Sequence, residues 1–562
     1  MSSLRRARSP WVQGLLACTI FASLSGAQAP PPFPLPPVAP GPAGNPVTAS
    51  KANLGKVLFW DEQLSSNRTV ACGTGHVPGA SGSDPRTGTV GYAPSVHAGA
   101  DHAFGTADDV HGSLGVSLAK ADGSSVFAAD FRLDRQVTPR RSQGVLNSGF
   151  LPQQFWNGRA EGTFADPLTG AVVIAQGASL ESQVLEPPLR QGEMGHVGRD
   201  WNDVAARIDS STPLRLASNL PPALAAWING RSYRALFFEA FGAFDVTPVR
   251  IAMAIATYER TLCSNQSPYD DFLAGDPNAL TPLEQQGLSV FNGPGRCNAC
   301  HTGPLLTDNL FHYNGIRPAS EDRGRALVTG LAADSGAMKT PSLRNVELRP
   351  PYYHTGRLDQ LEDVIDFYDR GGDFSAVNKP AEVAAIGLTQ QQKDALLAFL
   401  TRPLTDPRVA AEAPPFDRPT LYSESLAVPA HYGMTTAGAG GIAPKLIAFE
   451  PAVIGNPHWT IAVDRGNGGK QAVLLISPIQ WGIGVPFQGA LLHVALGAGT
   501  QAIHIGNLGG SGAGLGFGSA TIAIPEVPAL IGQTFNAQWV IVDPQGHGQR
   551  LSATDAVEVM YQ

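Results

Sequence analysis

A chain of 562 residues is too long to fold around one hydrophobic core, and at roughly 150 residues per domain it predicts about three or four units. Its 43% apolar content is that of globular protein. The net charge of -8 supplies no basic footprint, which excludes nucleic acid and anionic membrane surfaces as expected partners and leaves small molecules and proteins.

Arg5, Arg6 and Arg8 precede an apolar run from Trp11 to Leu24 and then the small residues Ser25, Gly26 and Ala27. That order predicts a signal peptide over residues 1–27, cleaved after Ala27, and a periplasmic or secreted protein. An uncleaved anchor is disfavoured because the run is shorter than the roughly 20 residues a span needs, and a lipid on Cys18 because the run continues past it. No later segment has a transmembrane pattern. Residues 28–47, with Pro30, Pro31, Pro32, Pro34, Pro36, Pro37 and Pro40, predict an extended linker.

From Thr48 to about Pro403 the pattern is mainly helical. Ile251, Ile255, Tyr258 and Leu262 share one face, and Leu358, Leu361, Val364, Ile365 and Tyr368 share another. Thr281-Pro282-Leu283-Glu284 offers an N-cap, a first-turn proline and a capping-box acid, Thr389 with Gln392 repeats the device, and Gly371-Gly372 supplies a helix stop. Beyond Pro403 the texture changes through Pro414, Pro415 and Pro419 to Gly-rich sequence with short β-branched runs. Trp459 to Val463, Ala472 to Ile476, Ala490 to Ala495, Thr521 to Ile524 and Trp539 to Val542 predict the strands of a β-sandwich. Its histidines, His458, His493, His504 and His547, have no ligand spacing and read as surface or core positions.

Cys297-Asn298-Ala299-Cys300-His301 is the c-type haem attachment pattern. Two thiols three residues apart can bond both vinyl groups of one haem while the adjacent imidazole turns under the ring to the iron. A thioredoxin-like redox pair or half a zinc site would need partners that the chain does not offer. Cys72-Gly73-Thr74-Gly75-His76 is a second candidate, with glycine at the second thiol position.

Other stretches surround these two in a fixed order. Leu54-Gly55-Lys56-Val57-Leu58-Phe59 precedes the first, then come Gln154-Phe155-Trp156-Asn157-Gly158-Arg159, Glu193-Met194-Gly195, Tyr258-Glu259-Arg260-Thr261 and Tyr269-Asp270. After the intact motif stand Lys339-Thr340-Pro341-Ser342-Leu343-Arg344-Asn345, Pro351-Tyr352-Tyr353-His354 and Phe367-Tyr368. Over roughly residues 48–405 this set resembles the di-haem cytochrome c peroxidase family, including its MauG-type members.

The resemblance implies a mainly α, cytochrome c-like two-domain haem module. An N-terminal haem domain with the degenerate attachment motif would cover 48–230 and a second haem domain 231–405. A linker, 406–429, and an all-β sandwich-like accessory domain, 430–562, would follow. His76 becomes the proximal ligand of a peroxide-reactive haem and His301 that of an electron-entry haem. Losing one thiol removes a tether but no iron ligand, so haem c held by Cys72 and His76 is chemically reasonable; the alternative is an empty N-terminal domain with Cys72 paired to Cys263. Glu193 matches the distal carboxylate that moves a proton between peroxide oxygens, against the bland reading of a solvated surface acid. Trp156 matches the tryptophan between the haems and otherwise reads as a large core residue. Tyr368 stands where MauG-type members place a tyrosine as sixth ligand of the second haem and peroxidases commonly a methionine; a core tyrosine is the other reading, and His354 is a less favoured ligand.

Three departures are visible. The family's distal histidine segment is replaced by an insertion containing His97, His102 and His111, each a candidate to close the first iron. Arg141 and Arg349 stand where the family commonly has Asn and Thr at an interdomain calcium site, which argues against that calcium, whereas Asp101, Thr106, Asp108 and Asp109 form an oxygen-rich loop that could hold one. The activity implied is reduction of hydrogen peroxide with electrons relayed between two haems from a small redox protein or organic donor. The alternatives are MauG-like peroxide-dependent oxidation of a protein or organic substrate, and a single-haem electron-transfer protein with a binding β domain.

Overall fold

A computed structural model describes residues 33–86, 95–546 and 549–562, so the expected signal peptide, Cys18, the start of the Pro-rich stretch and His547 lie outside the described residues. The helix Ala49–Phe59 starts at Thr48, whose hydroxyl accepts from Lys51 N at 3.3 Å. It crosses the helix Pro248–Glu259, which has Thr247 as N-cap and proline in its first turn. The contact is made at Gly55, where a methyl group would lie 1.9 Å from the carbonyl oxygen of Ala254. Only glycine lets the two backbones meet there. The same device recurs between the helices Pro282–Asn292 and Gln390–Leu400: Gly287 faces the carbonyl oxygen of Ala395 at the same 1.9 Å. The capping boxes of Thr281 with Glu284 and Thr389 with Gln392 are formed as their spacing predicts.

Each crossing sits in its own core. Leu54, Leu58, Phe59, Ile251, Ile255, Tyr258, Leu262, Trp201 and Phe237 make the first. Phe291, Leu361, Ile365, Leu396, Phe399 and Leu400 make the second, to which the helix Leu361–Asp369 contributes before Gly371 and Gly372 stop it at φ 82° and 81°. Between the helices the chain is largely irregular, with short ladders such as Leu114–Ser117 against Arg135–Val137 and Phe311–His312 against Met338–Lys339. Pro139, Pro152, Pro167, Pro187 and Pro188 block helix propagation there, so helix is less continuous than the overall pattern predicts.

The C-terminal part is β. The strands Lys445–Ile447, Trp459–Gly468 and Gly512–Ile522 form one antiparallel sheet. A second sheet orders Gln501–Asn507, Gln471–Ser477, Thr534–Gly546, Gln549–Met560 and Ala430–Tyr432. Trp459, Ile461, Leu474, Trp539 and Val557 fill the space between the sheets. A hairpin of Gln480–Phe487 and Ala490–Val494 covers the outer face of the five-stranded sheet through Leu492 and Val494. The described residues form one compact unit. The stretch 406–429, expected as a linker, buries Val409, Phe416 and Leu421 in the first helical core. Arg132 forks onto Asp464 at 2.8 and 2.7 Å, and Leu133 packs on Ile447 and Ala462, so the insertion near residue 130 lies on the three-stranded sheet. No described helix is long and apolar enough to cross a membrane.

Gly55→Ala and Gly287→Ala each force two helix backbones apart. Each is expected to lower unfolding free energy by about 1–3 kcal/mol in denaturant titration. Gly482→Ala, whose added methyl group meets nothing within 4 Å, should stay within about 0.5 kcal/mol of the parent.

Candidate functional site

His76 and His301 are held alike. His76 Nδ1 lies 2.9 Å from the carbonyl oxygen of Gly82, and His301 Nδ1 lies 2.9 Å from that of Leu306. A carbonyl only accepts, so each Nδ1 carries the proton and each Nε2 keeps its lone pair. Burial disfavours the imidazolium in both, lowering His76 and pushing His301 down to about 4. Both rings are neutral donors of the kind a metal requires.

His76, Cys72 and Gly75 line a cavity of 840 Å³; His301, Cys297 and Cys300 line a narrower one of 230 Å³. Arg141, Ser142, Gln143, Gly144, Trp156 and His354 face both, and so form the wall between them. Trp156 is fixed in that wall: its Nε1 donates to Arg141 O at 2.8 Å, its carbonyl accepts from Lys339 N at 2.7 Å, and its ring lies 6.0 Å from that of His354.

Glu193 lines the larger cavity. Its backbone N donates to Arg190 O and its carbonyl accepts from Val116 N, both at 3.0 Å, which seats the side chain on a closed turn. Burial raises its carboxyl, while Arg190 and Arg159 pull it back. Glu259 faces the same cavity, 5% exposed, with one carboxyl oxygen lacking a hydrogen-bond partner and burial pushing it up to about 8. The sequence reading placed Glu259 in a matched stretch without a role; its signal was an acid ending an otherwise apolar helical face.

Tyr368 reaches the narrower cavity from the helix Leu361–Asp369. Burial pushes its phenol up, and Asn314 and Tyr353 beside it pull back. Tyr353, at φ 68°, is a second tyrosine lining that cavity and was not singled out from sequence. Of the three inserted histidines only His97 faces the larger cavity. His102 is exposed and pairs with Asp130 at 2.9 Å, while His111 lies in a short ladder and lines neither space. Cys72 and Cys263 are both free thiols; Cys263 sits in a separate apolar cluster with Leu35, Ala39 and Phe150, so the alternative pairing is not formed. Cys300, Asp308 and His312 lie within ligand distance of one another, but that thiol belongs to the attachment motif.

A profile of the di-haem cytochrome c peroxidases matches residues 49–278. Over 363 residues the chain is 30% identical to the methylamine utilization protein MauG of Methylophilus methylotrophus, covering 64% of this chain and 84% of that protein. The chain belongs to the di-haem cytochrome c peroxidase family. It is also 29% identical over 438 residues to the cytochrome-c peroxidase IdrP1 of Denitromonas iodatirespirans, covering 71% of this chain and 95% of that one. A solved MauG-like protein associated with microbial copper homeostasis superposes with a TM-score of 0.49 at 26% identity, covering 68% of this chain and 97% of that one.

Membership makes this di-haem peroxidase an oxidoreductase with haem c as cofactor, and the residues present fit the group. Each cavity offers a neutral imidazole beside a thiol. In the narrower one, Lys339 Nζ and Arg349 Nη2 bond, among the described residues, only to the carbonyls of Gln153 and Ser342, both at 2.7 Å, and burial pushes them down to about 7 and about 10. Those are cations short of carboxylates, which the propionates of a haem would supply. Cys297, Cys300 and His301 would hold one haem, and Cys72 and His76 the other.

The side chains weighed for calcium make hydrogen bonds within the chain. Arg141 Nη2 donates to the carbonyls of Pro350, Asp84 and Arg349 at 3.0, 3.3 and 3.4 Å. In the inserted loop Asp108 accepts from Ala100 N, Asp101 N and the Thr106 hydroxyl, and Asp109 accepts from Gly105 N.

A side chain at Gly75 meets nothing within 4 Å, so Gly75→Cys restores the missing thiol without a clash. Protein matured with haem is expected to carry two haems by denatured mass. The variant's alkaline pyridine haemochrome band should move to that of a protein whose haems are all doubly tethered, because the remaining vinyl group is consumed.

Proposed function

We propose that this protein is an exported di-haem enzyme that reduces hydrogen peroxide to water, one cavity handling protons and peroxide and the other receiving electrons. The reading rests on one observation: two cavities, each with a carbonyl-anchored neutral histidine beside a cysteine, share a wall that contains Trp156. The bound haems supply the iron redox chemistry. Everything else falls to the chain. His76 and His301 present Nε2 as iron ligands, and Cys72, Cys297 and Cys300 tether the rings. Glu193 takes the proton from one peroxide oxygen and returns it to the other, so that with two electrons and two protons the O–O bond yields two water molecules. Trp156 offers its ring as the aromatic bridge between the cavities. Arg141 replaces the interdomain calcium, and the β-sandwich is accessory to the haem module. The basic and apolar N-terminal segment supports export.

A second reading is favoured by Tyr368. Its phenol lines the same cavity as His301 and would serve as the second haem's other protein ligand, and burial favours its protonated form unless a cation faces it. An oxygen ligand stabilises higher oxidation states than methionine does, which suits peroxide-dependent oxidation of a protein or organic substrate. Tyr368→Phe should change the low-spin optical spectrum of the second haem while the two thioethers retain the ring, and Tyr353→Phe should not. An unchanged spectrum in Tyr368→Phe would return that residue to the ordinary core.

The decisive measurement for peroxide reduction concerns Glu193. Glu193→Gln keeps size and hydrogen-bonding capacity but removes the titrating carboxyl. Stopped-flow reaction of reduced enzyme with peroxide is expected to slow by about a hundredfold to ten-thousandfold at unchanged haem content. A wild-type rate would remove Glu193 from proton transfer.

A further inference from the structure

A third cavity, of 600 Å³, lies where the helical part meets the C-terminal strands. Arg68, Arg199, Arg207 and Arg215 come from the helical part, while Glu450 and Thr460 line it from the β part. Glu450 is consumed: it pairs with Arg68 at 2.9 Å and accepts from Asn456 Nδ2 and Thr460 N. Asp203 also lines the space, but it caps its own helix and lies 3.6 Å from His196 Nε2; Glu526 is the remaining acid of the lining.

Among the described residues the hydrogen bonds of Arg199 and Arg207 go only to carbonyls. Arg199, 7% exposed, donates to Pro188 O at 2.9 Å and Met194 O at 3.1 Å. Arg207 makes one contact with Ser66 O at 3.4 Å, and Arg215 donates to the main-chain oxygen of Gln562 at 3.0 Å. Neither Arg199 nor Arg207 has a described carboxylate within ion-pair distance. Burial, then the charges of Arg68 and Arg199, push Arg207 down to about 9 against the weaker pull of Glu450 and Asp203. Arg68 itself is held at φ 61°, a left-handed backbone that costs an ordinary residue energy and is kept by its surroundings.

We propose that this cavity is the binding site of a small multivalent oxyanion, a phosphate or a polycarboxylate, completed by the docking of the C-terminal strands on the helical part. Guanidinium groups present planar forks that match such oxygens, and desolvated cations hydrogen-bonded to carbonyls rather than to carboxylates are costly until an anion arrives. The volume lies within the roughly 300–1,000 Å³ of small-molecule sites. The site is independent of the haem cavities, so it does not depend on the peroxidase reading.

Full-length, haem-loaded protein is titrated calorimetrically with inorganic phosphate and, separately, with citrate, at an ionic strength fixed by chloride. Saturable binding of at least one of them, at one site per chain, is expected, and which one binds separates the two chemistries. Arg207→Gln should weaken it about tenfold or more, since a charge-assisted hydrogen bond is worth at least that factor. Haem content and peroxide turnover without oxyanion should be unchanged. If Arg207→Gln fails to fold, Arg215→Gln makes the same test. Heats no different from the chloride control for both oxyanions, or wild-type binding in a folded variant, would overturn the proposal.

Discussion

Arg141 joins stretches of chain that are distant in sequence. Its backbone N donates to His354 O and its carbonyl accepts from Trp156 Nε1, both at 2.8 Å, while its guanidinium gathers the carbonyls of Asp84, Arg349 and Pro350. The wall between the two cavities is therefore hung on one residue that is only 4% exposed. Three carbonyl dipoles converging on one point need a positive charge, and each left unpaired would cost about 1–3 kcal/mol. The guanidinium of Arg141 supplies that charge from a side chain that is covalently attached.

The two helix crossings explain how one attachment motif could lose a cysteine. Gly55 against Ala254 and Gly287 against Ala395 place a Cys-to-His segment beside each crossing, and each histidine finds its own backbone carbonyl. Neither the crossing nor the Nδ1 hydrogen bond uses the second thiol. The two glycines of the degenerate motif have different causes. A methyl group on Gly73 would strike the Trp60 ring at 2.1 Å, so glycine is required there by packing, whereas Gly75 faces open space and nothing in the protein demands it.

Much of this was legible because the signals were local. The attachment motif, the capping boxes and the apolar helical faces all declare themselves within about five to ten residues. The family resemblance brought Trp156 and Tyr368 forward, but the cavities they line depend on chain folding back over more than a hundred residues. What was missed is non-local. Val409, Phe416 and Leu421 sit among prolines and read as linker, yet they are spaced to reach a core formed by residues more than a hundred positions earlier. The strand Gly512–Ile522 carries a glycine at every second position through Gly518, so one of its faces bears no side chains there and it reads as a Gly-rich turn region; its pairing with Trp459–Gly468 supplies the order. Glu259 looked like the last residue of a helix, and only its burial beside Cys72 makes it a member of the first cavity.

The electrostatics of the two cavities differ in a way that suits coupled electron and proton movement. The first holds Glu193 and Glu259, both raised by burial, among arginines that include Arg86, Arg159 and Arg190; the second holds Lys339 and Arg349, both lowered by burial. In a low-dielectric interior an added electron is unfavourable unless positive charge is fixed nearby or a proton follows it. Basic side chains line both cavities, so the first condition is met in each. Buried carboxyls line only the first of the two with their protonated form favoured, and they meet the second condition there by supplying protons where negative charge would otherwise accumulate. On the proposed peroxidase reading this proton supply, rather than a difference in fixed charge, gives direction to electron flow, because the cavity that can pair electrons with protons is the one in which they are consumed.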